Sequence, residues 1–279
     1  MSFVEKYEYA STANNSIMCI GLDPDRAEMP PGVAKSEFLL RIVEATQDLV
    51  CAYKPNSPFF EEDGAEGFAE LKMVIDGIHR RVPRVPVILD SKRADIPNTS
   101  QFFASSVFGH FNADATVVNP YMGFDALEPF VQHEDRHTFV LCRTSNPGAR
   151  DFQDLPVGDT GWPLYLAVAD RVQKWNRQNV GLVVGATYPA DASRVREVCP
   201  DRLLLVPGIG KQEGELEAVL RATGDSIIVN SSRSILYAGK SEPDYRTRFA
   251  EYARHAAEAL HEQLNEARGT EIQHEGALA

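Results

Sequence analysis

The stretch VPVILDSKRADIPNTS, residues 85–100, places an apolar run directly before a series of charges. Val85 to Leu89 has the composition of a buried strand, and Asp90, Lys92 and Asp95 follow within six residues. Charges are costly to bury unless they are paired, so their position at the end of a buried strand indicates a polar site. The stretch therefore predicts a strand that ends at a site and then turns into a helix.

The same alternation of a short apolar run and a longer helical segment recurs along the chain. Eight runs are continuously apolar rather than alternating, which is typical of parallel strands covered on both faces. They are Ile17–Leu22, Ala52–Pro55, Val85–Asp90, Ala115–Asn119, Thr138–Arg143, Gly181–Gly185, Leu203–Pro207 and Ser226–Asn230. The helical segments are Glu37–Val50, Glu66–Arg81, Asn98–Phe111, Gly123–Gln132, Pro163–Gln178, Pro189–Val198, Gly214–Ala222 and Tyr245–Glu266. Ser36 is the expected N-cap of the first of these helices. Phe102, Phe103, Phe108 and Phe111 are expected in the helix core, and the alternative for them is a base-stacking platform.

Strand–helix units repeated along 279 residues match an α/β fold, the (β/α)₈ TIM barrel, in order and in length. We expect one domain over residues 1–279, with frayed termini at about residues 1–15 and 267–279. The segment Pro147–Gly161 is a long loop and a candidate lid. A doubly wound open sheet is the alternative, because strand order is not encoded in local pattern.

Composition limits the partners that the protein can have. The net charge is −12, so the surface repels nucleic acid and anionic membranes. No apolar run approaches the ~20 residues of a membrane span, and the N-terminal residues MSFVEKYEYASTANNS lack the apolar segment of a signal peptide. The four cysteines are scattered without a C-x-x-C pair, as in proteins of a reducing compartment. We expect a cytoplasmic enzyme or binding protein with no nucleic acid and no membrane among its partners.

Polar residues are concentrated where the predicted strands end. In a (β/α)₈ barrel these ends meet at one face, where functional side chains lie. The residues concerned are Asp23, Lys54, Asp90, Lys92, Asp95, Ser145, Asn146 and Arg233, and the seventh strand ends in VPGIGKQEG. The seven histidines show no spacing typical of metal ligands, so no metal site is expected.

A network of alternating charges is expected at this face. Asp90 and Lys92 are two residues apart, so on a continuing strand they point to the same side. Lys54 ends the neighbouring strand, and Asp95 begins the next helix. A carboxylate flanked by cations stays ionised, and a lysine between carboxylates stays protonated. The alternative is a structural salt-bridge cluster, although such clusters contribute little to stability once their desolvation is counted.

Residues 90–99, DSKRADIPNT, resemble the D-x-K-x-x-D-I-x-x-T signature of the orotidine 5′-monophosphate decarboxylase family. FEEDG, RTSNPGA, VVGATYP, PGIGKQEG and NSSRSILYA resemble its longer bacterial subgroup, type 2, and the matches run in order from about residue 18 to residue 240. The resemblance implies a lyase that converts orotidine monophosphate to uridine monophosphate and CO₂ in de novo pyrimidine nucleotide biosynthesis. It also implies a cofactor-free reaction, without metal, flavin or pyridoxal phosphate, and a homodimer with shared active sites.

The resemblance assigns the chemistry to a small catalytic set. Lys92 would deliver a proton to C6 of the pyrimidine, Asp90 would lie beside the departing carboxylate, and Lys54 would order both and reach the ribose. The residues that would reach the active site of the neighbouring subunit are Asp95, which completes the catalytic set, and the substrate-binding residues Ile96 and Thr99.

The remaining substrate contacts follow from the same resemblance. Asp23 would bind ribose hydroxyls, Ser145 would contact the pyrimidine edge, and Pro207 would line the site. Gln212 and Arg233 would hold the phosphate. The chain departs from the family pattern at Ala94, where a glycine is expected, and at Lys211 and Glu213, where small residues are expected.

Two other functions fit parts of the pattern. The D-x-K-x-x-D core also occurs in Mg²⁺-dependent sugar-phosphate decarboxylases and aldolases of the same barrel superfamily, although the DIPNT continuation favours the nucleotide enzyme. A non-catalytic nucleotide-binding barrel would keep Gln212 and Arg233. It would have no use for Lys92 between two carboxylates.

Overall fold

Eight parallel strands form a closed barrel, which confirms the predicted (β/α)₈ architecture. The computed structural model describes residues 1–159, 161–208, 213–224 and 226–276. The strands are β1 (Met18–Leu22), β2 (Ala52–Pro55), β3 (Ile88–Arg93), β4 (Ala115–Val118), β5 (His137–Arg143), β6 (Val180–Val184), β7 (Leu204–Pro207) and β8 (Ile227–Ser231). They pair in the order β2–β1–β8–β7–β6–β5–β4–β3. Parallel bridges from Tyr53 to Val87 and from Asn56 to Asp90 close the ring between β2 and β3.

Helices precede the first strand, connect successive strands and follow the last one. They are α1 (Phe3–Ala13), α2 (Lys35–Thr46), α3 (Pro58–Glu61), α4 (Gly64–Arg81), α5 (Pro97–Ala104), α6 (Phe124–Val131), α7 (Leu164–Lys174), α8 (Pro189–Val198), α9 (Glu213–Thr223), α10 (Arg233–Leu236) and α11 (Tyr245–Gly276). Short 3₁₀ turns occur at Pro120–Met122 and Pro147–Asp151. Among the described residues, none of the helices combines the length and the apolar character needed to cross a bilayer.

Two apolar layers hold the barrel together. One lies between the strands and the surrounding helices, and the other fills the barrel interior with side chains that include Ile88, Val117, Phe139 and Leu205. Because each strand is covered on both sides, its sequence is continuously apolar, and this explains why all eight strands could be predicted.

Two predicted local features differ from the structure. The helix expected from Glu37 begins at Lys35 with Ala34 as its cap, so Ser36 is not the N-cap. Instead the backbone N and the Oγ of Ser36 donate to Oε1 of Glu70 on α4, at 3.2 and 3.1 Å. The helix expected over residues 98–111 changes after Ala104 into a π-helical turn, Ser105–His110. Of the four phenylalanines expected in the core, Phe108 and Phe111 are buried, Phe103 packs against the core, and Phe102 is 70% exposed.

The amino-terminal residues form a helix that contacts the barrel, and the fraying expected at about residues 1–15 stays a prediction. Ser2 and Glu5 form a capping box at the start of α1, and Phe3 is 1% exposed. The ring of Phe3 stacks on His137, with the ring centroids 4.8 Å apart. Lys6 pairs with Asp114 at 2.6 Å. These contacts hold α1 across the barrel opening at the N-terminal ends of the strands.

The carboxyl-terminal helix is longer than predicted, since α11 continues beyond Glu266 to Gly276. The fraying expected at residues 267–279 stays a prediction for residues 277–279, which lie outside the described part of the chain.

Candidate active site

A single buried carboxylate holds two ammonium groups at the C-terminal end of the barrel. Lys54 Nζ on β2 donates to Oδ2 of Asp90 at 2.9 Å, and Lys92 Nζ donates to Oδ1 of Asp90 at 2.6 Å. Lys54 and Asp90 are 4% and 7% exposed. The structure thus brings together three of the four charges that the sequence placed in one network.

Lys92 reaches Asp90 from an unusual backbone conformation. Its φ is +49°, and the pairing of β3 with β4 shifts register between Leu89 and Arg93. The same-side geometry expected of a continuing strand is therefore not how the two side chains meet. A non-glycine residue in the left-handed region costs about 1–2 kcal/mol, and such conformations are concentrated at functional sites. Ala94, which replaces the expected glycine, is not among the positive-φ residues of the described chain.

The charges in this cluster stabilise one another in their ionised forms. Burial by itself would raise the pKa of Asp90, but Lys54 and Lys92 outweigh it and leave the pKa lowered. Burial would likewise lower the pKa of Lys54, and the carboxylates of Asp90 and Asp23 leave it raised instead. At neutral pH the cluster therefore holds a carboxylate between two ammonium ions.

Asp23 lies beside Lys54 at the end of β1. Its backbone carbonyl accepts a hydrogen bond from the hydroxyl of Tyr237 at 2.6 Å. Its Oδ1 is buried and has no hydrogen-bond partner among the described residues. A buried carboxylate oxygen without a partner is costly, and a donor from a bound molecule would satisfy it.

A cavity of about 390 Å³ opens next to the cluster. One side carries Lys54, Asp90 and Lys92. Four strands, β4 to β7, contribute an apolar wall made of Val117, Leu141, Val183, Leu205 and Pro207. The cavity is of the size that binds small molecules. It suits a molecule with one flat, weakly polar part and a reacting centre that develops charge.

Ser145 closes the cavity after β5, together with Thr144 and Asn146. Two glycines leave room for it. A Cβ at Gly185 would lie 2.9 Å from the Cβ and the backbone N of Ser145. Gly208, at φ +94°, faces Oγ of Ser145, with 3.7 Å between that atom and an ideal Cβ position. Thr144 was not among the predicted site residues, although its place in RTSNPGA could have indicated it.

Of the two residues expected to hold the phosphate, Gln212 and Arg233, the structure describes Arg233. It is exposed at the start of α10, immediately after β8, and it has no ion pair with any other residue that the structure describes. Ser232 approaches β1 so closely that a Cβ at Gly21 would lie 1.9 Å from its Oγ. Gln212 and Lys211 lie outside the described residues.

Asp95, Ile96 and Thr99 are not brought into the cluster. Asp95 Oδ1 accepts from the backbone N of Ile96 at 2.7 Å, and its own backbone N donates to Ser100 Oγ at 3.0 Å. In the described structure Asp95 forms no ion pair, and Ile96 is 57% exposed. Within one chain the alternating network therefore ends at Lys92, because the backbone turns outward into α5.

Comparison with known proteins identifies the family. The model of the orotidine 5′-phosphate decarboxylase / HUMPS family matches residues 16–247. A protein of Roseiflexus castenholzii named orotidine 5′-phosphate decarboxylase is 49% identical over 278 residues, which cover 96% of this chain and 98% of the relative. The chain belongs to this family.

Solved structures of the orotidine 5′-phosphate decarboxylase family share the barrel. The OMP decarboxylase of Leishmania donovani is 42% identical, with a TM-score of 0.83 over 96% of this chain and 99% of that chain. The UMP synthase of the same organism is 43% identical, with a TM-score of 0.84, and the match covers 57% of that chain.

Proposed function

We propose that the protein decarboxylates orotidine 5′-monophosphate to uridine 5′-monophosphate and CO₂ in de novo pyrimidine biosynthesis, without a metal or an organic cofactor. The observation that carries the proposal is Asp90 held between Lys54 and Lys92 beside a half-apolar cavity. Membership of the family provides the substrate.

The charged side of the cavity suits the difficult step. Loss of CO₂ leaves a carbanion at C6 that the pyrimidine cannot fully delocalise. An ammonium already aimed at that carbon stabilises the developing charge without reorganising, and it can then donate the proton. Lys92 is the candidate, because Lys54 holds the other oxygen of Asp90 and keeps the carboxylate in place. Asp90 would lie beside the departing carboxylate.

The rest of the nucleotide fits the remaining site residues. The pyrimidine would pack against the apolar wall, with Ser145 at its edge and Pro207 beneath it. Asp23 would accept from ribose hydroxyls through its unpartnered Oδ1. Arg233 would hold the phosphate with Gln212. A planar guanidinium matches phosphate geometry, and binding far from the reacting carbon can still lower the barrier when it is used in the transition state.

A homodimer would complete each site. Asp95, Ile96 and Thr99 do not line their own cavity, and Ile96 and Phe102 are exposed apolar residues of the same part of the chain. An isologous two-fold interface would bury such residues and carry Asp95 to the partner's cavity. We further propose that the chain acts as one domain, in the cytoplasm, with no nucleic acid and no membrane among its partners.

The test of the activity is direct. Purified protein is treated with EDTA, and the ultraviolet absorbance of orotidine monophosphate is followed on mixing. We expect the substrate signal to disappear at the same rate before and after EDTA treatment. No change in absorbance would contradict the proposal, and a reaction that requires added Mg²⁺ would favour the sugar-phosphate alternative.

A further inference from the structure

Arg143 ends β5 directly before the three residues that close the cavity. It is 3% exposed, and the long segment 144–163 begins immediately after it. That segment contains a 3₁₀ turn and a small antiparallel pairing of Pro156–Val157 with Trp162–Pro163. A buried guanidinium at this position requires partners, and they come from two different loops.

One partner of Arg143 is fixed. Arg143 Nε donates to Asp191 Oδ2 at 2.9 Å, in the first turn of α8. The other oxygen of Asp191 accepts from the hydroxyl of Tyr165 at 3.1 Å, and that hydroxyl accepts from Arg194 Nη1 at 3.1 Å. The guanidinium also lies 4.9 Å from the ring centroid of Tyr188. These contacts hold Arg143 on the barrel side.

The other partner is the segment itself. Arg143 Nη1 lies 2.7 Å from Oδ1 of Asp154, whose side chain is 42% exposed. This ion pair lacks the alignment of a hydrogen bond, and among the described residues Asp154 has no second ion pair. Asp154 therefore forms the weaker of the two ion pairs of Arg143, and its carboxylate is more accessible to solvent than that of Asp191.

We call the ion pair of Arg143 with Asp154 the tether. Gln153, the residue next to Asp154, connects it to the residues that close the cavity. Gln153 Oε1 accepts from the backbone N of Thr144 at 2.9 Å, and Gln153 Nε2 donates to Oγ1 of Thr144 at 2.8 Å. Thr144 Oγ1 in turn donates to Oδ1 of Asn146 at 2.7 Å. Ser145 lies between these two residues, so its backbone is fixed on both sides.

We infer that Arg143 and Asp154 are positioning residues, which hold the segment 144–163 so that Gln153 fixes the wall Thr144–Ser145–Asn146 against the bound ring. This inference rests on the proposed function, because Ser145 is the group through which it acts. Neither Arg143 nor Asp154 lines the cavity.

Asp154→Ala tests the tether without removing a buried cation. Asp151→Ala is the matched control, because it removes an exposed carboxylate from the same segment that has no ion pair in the described structure. Hydrogen exchange at the Thr144 amide and kinetics with orotidine monophosphate are measured for both. We expect roughly two- to fivefold faster exchange and a similar fall in kcat/KM for Asp154→Ala only, the scale of a partly exposed ion pair. Asp154→Glu should restore part of both.

A double variant tests whether Asp154 acts through Ser145. Ser145→Ala should lower kcat/KM by itself, and Asp154→Ala should then add almost nothing, since residues that act through one contact are not additive. If the losses of kcat/KM in the two single variants multiply in the double variant, Asp154 does not act through Ser145. If Asp154→Ala and Asp151→Ala have the same exchange rate at Thr144 and the same kcat/KM, the tether is refuted. An inactive wild-type protein would refute the proposed function, whereas the exchange comparison would still decide the tether.

Discussion

Lys92 Nζ and Asp90 Oδ1 lie 2.6 Å apart, although the two residues do not share a regular strand. The backbone of Lys92 adopts φ +49°, and its side chain is 47% exposed while that of Asp90 is 10% exposed. The ammonium is thus anchored on its buried side and open toward the cavity. A proton donor needs both properties, because it must be positioned before substrate binds and must still reach it.

Lys92→Ala is expected to abolish turnover and leave the barrel folded. The variant removes the proposed proton donor, while Lys54 still pairs with Asp90. Steady-state decarboxylation and circular dichroism would be compared with Lys72→Ala, a surface lysine on α4 paired with Asp76. Retention of more than a few per cent of kcat would remove Lys92 from this role.

Arg233→Ala is expected to lower kcat/KM by the equivalent of about 2–4 kcal/mol, as when a charge-assisted contact to phosphate is lost. The same change should have little effect on a substrate that lacks the phosphate. Both substrates would be measured with both proteins, and equal losses on the two would refute the assignment.

Ligands with an anionic oxygen at C6 are expected to bind far more tightly than the product. A site that stabilises a C6 carbanion favours ligands that resemble it, by ~10²–10⁸-fold over substrate. Calorimetric titration of 6-hydroxy uridine monophosphate and uridine monophosphate would measure the ratio. Equal affinities would mean that the charge on Lys92 is not directed at this position.

Mixing two inactive variants is expected to restore activity if sites are shared. Lys92→Ala and Asp95→Ala would each be nearly inactive, and in a heterodimer one site carries both changes and the other neither. Activity after subunit exchange should rise well above that of either parent, in proportion to the heterodimer population. Confirmed exchange without a rise in activity would assign Asp95 to its own subunit.

Acid is expected to destabilise the protein through His137. Burial lowers its pKa from 6.5 to about 3, with Arg202 as a second cause, and neither ring nitrogen has a hydrogen-bond partner in the part of the chain that the structure describes. The imidazole of His137 is therefore protonated at a higher pH in the unfolded state than in the folded state. Its stabilising contribution is complete above pH 6.5 and is lost as the pH falls toward 3, by up to ~1.4 kcal/mol per pH unit.

Urea unfolding of wild type and His137→Leu at pH 7.5, 6.5, 5.5 and 4.5 would measure this effect. The difference in unfolding free energy between the two proteins should change with pH below 6.5, whatever its value at pH 7.5. Parallel curves would show that His137 does not contribute in this way.

Local pattern predicted the barrel and the meeting of Lys54, Asp90 and Lys92. Ala52–Pro55 was predicted without error, because a doubly covered strand has a continuous apolar signature. The strand predicted at Val85–Asp90 is Ile88–Arg93, since charged residues extend it where hydrophobicity no longer indicates a strand. The contact of Lys54 with Asp90 was predictable because neighbouring strands end at the same face.

Other features depend on contacts that a linear pattern does not contain. Ser36 is not a cap because Glu70, on another helix, satisfies it. The partners of Arg143 include Asp191, 48 residues away, so nothing near RTSNPGA indicates the tether. The left-handed backbone of Lys92 is likewise unexpected, since propensity assigns such a conformation to glycine or asparagine.

The position of α1 determines which end of the molecule an attached label would occupy. Phe3 packs into the barrel at the N-terminal ends of the strands. Its backbone N donates to Asp135 O, and the Tyr7 hydroxyl donates to Ile227 O at the start of β8. Anything joined before Met1 would leave from the side opposite the cavity. Protein immobilised on a surface through this end would therefore present its open face to the solution, and substrate would approach without crossing the support.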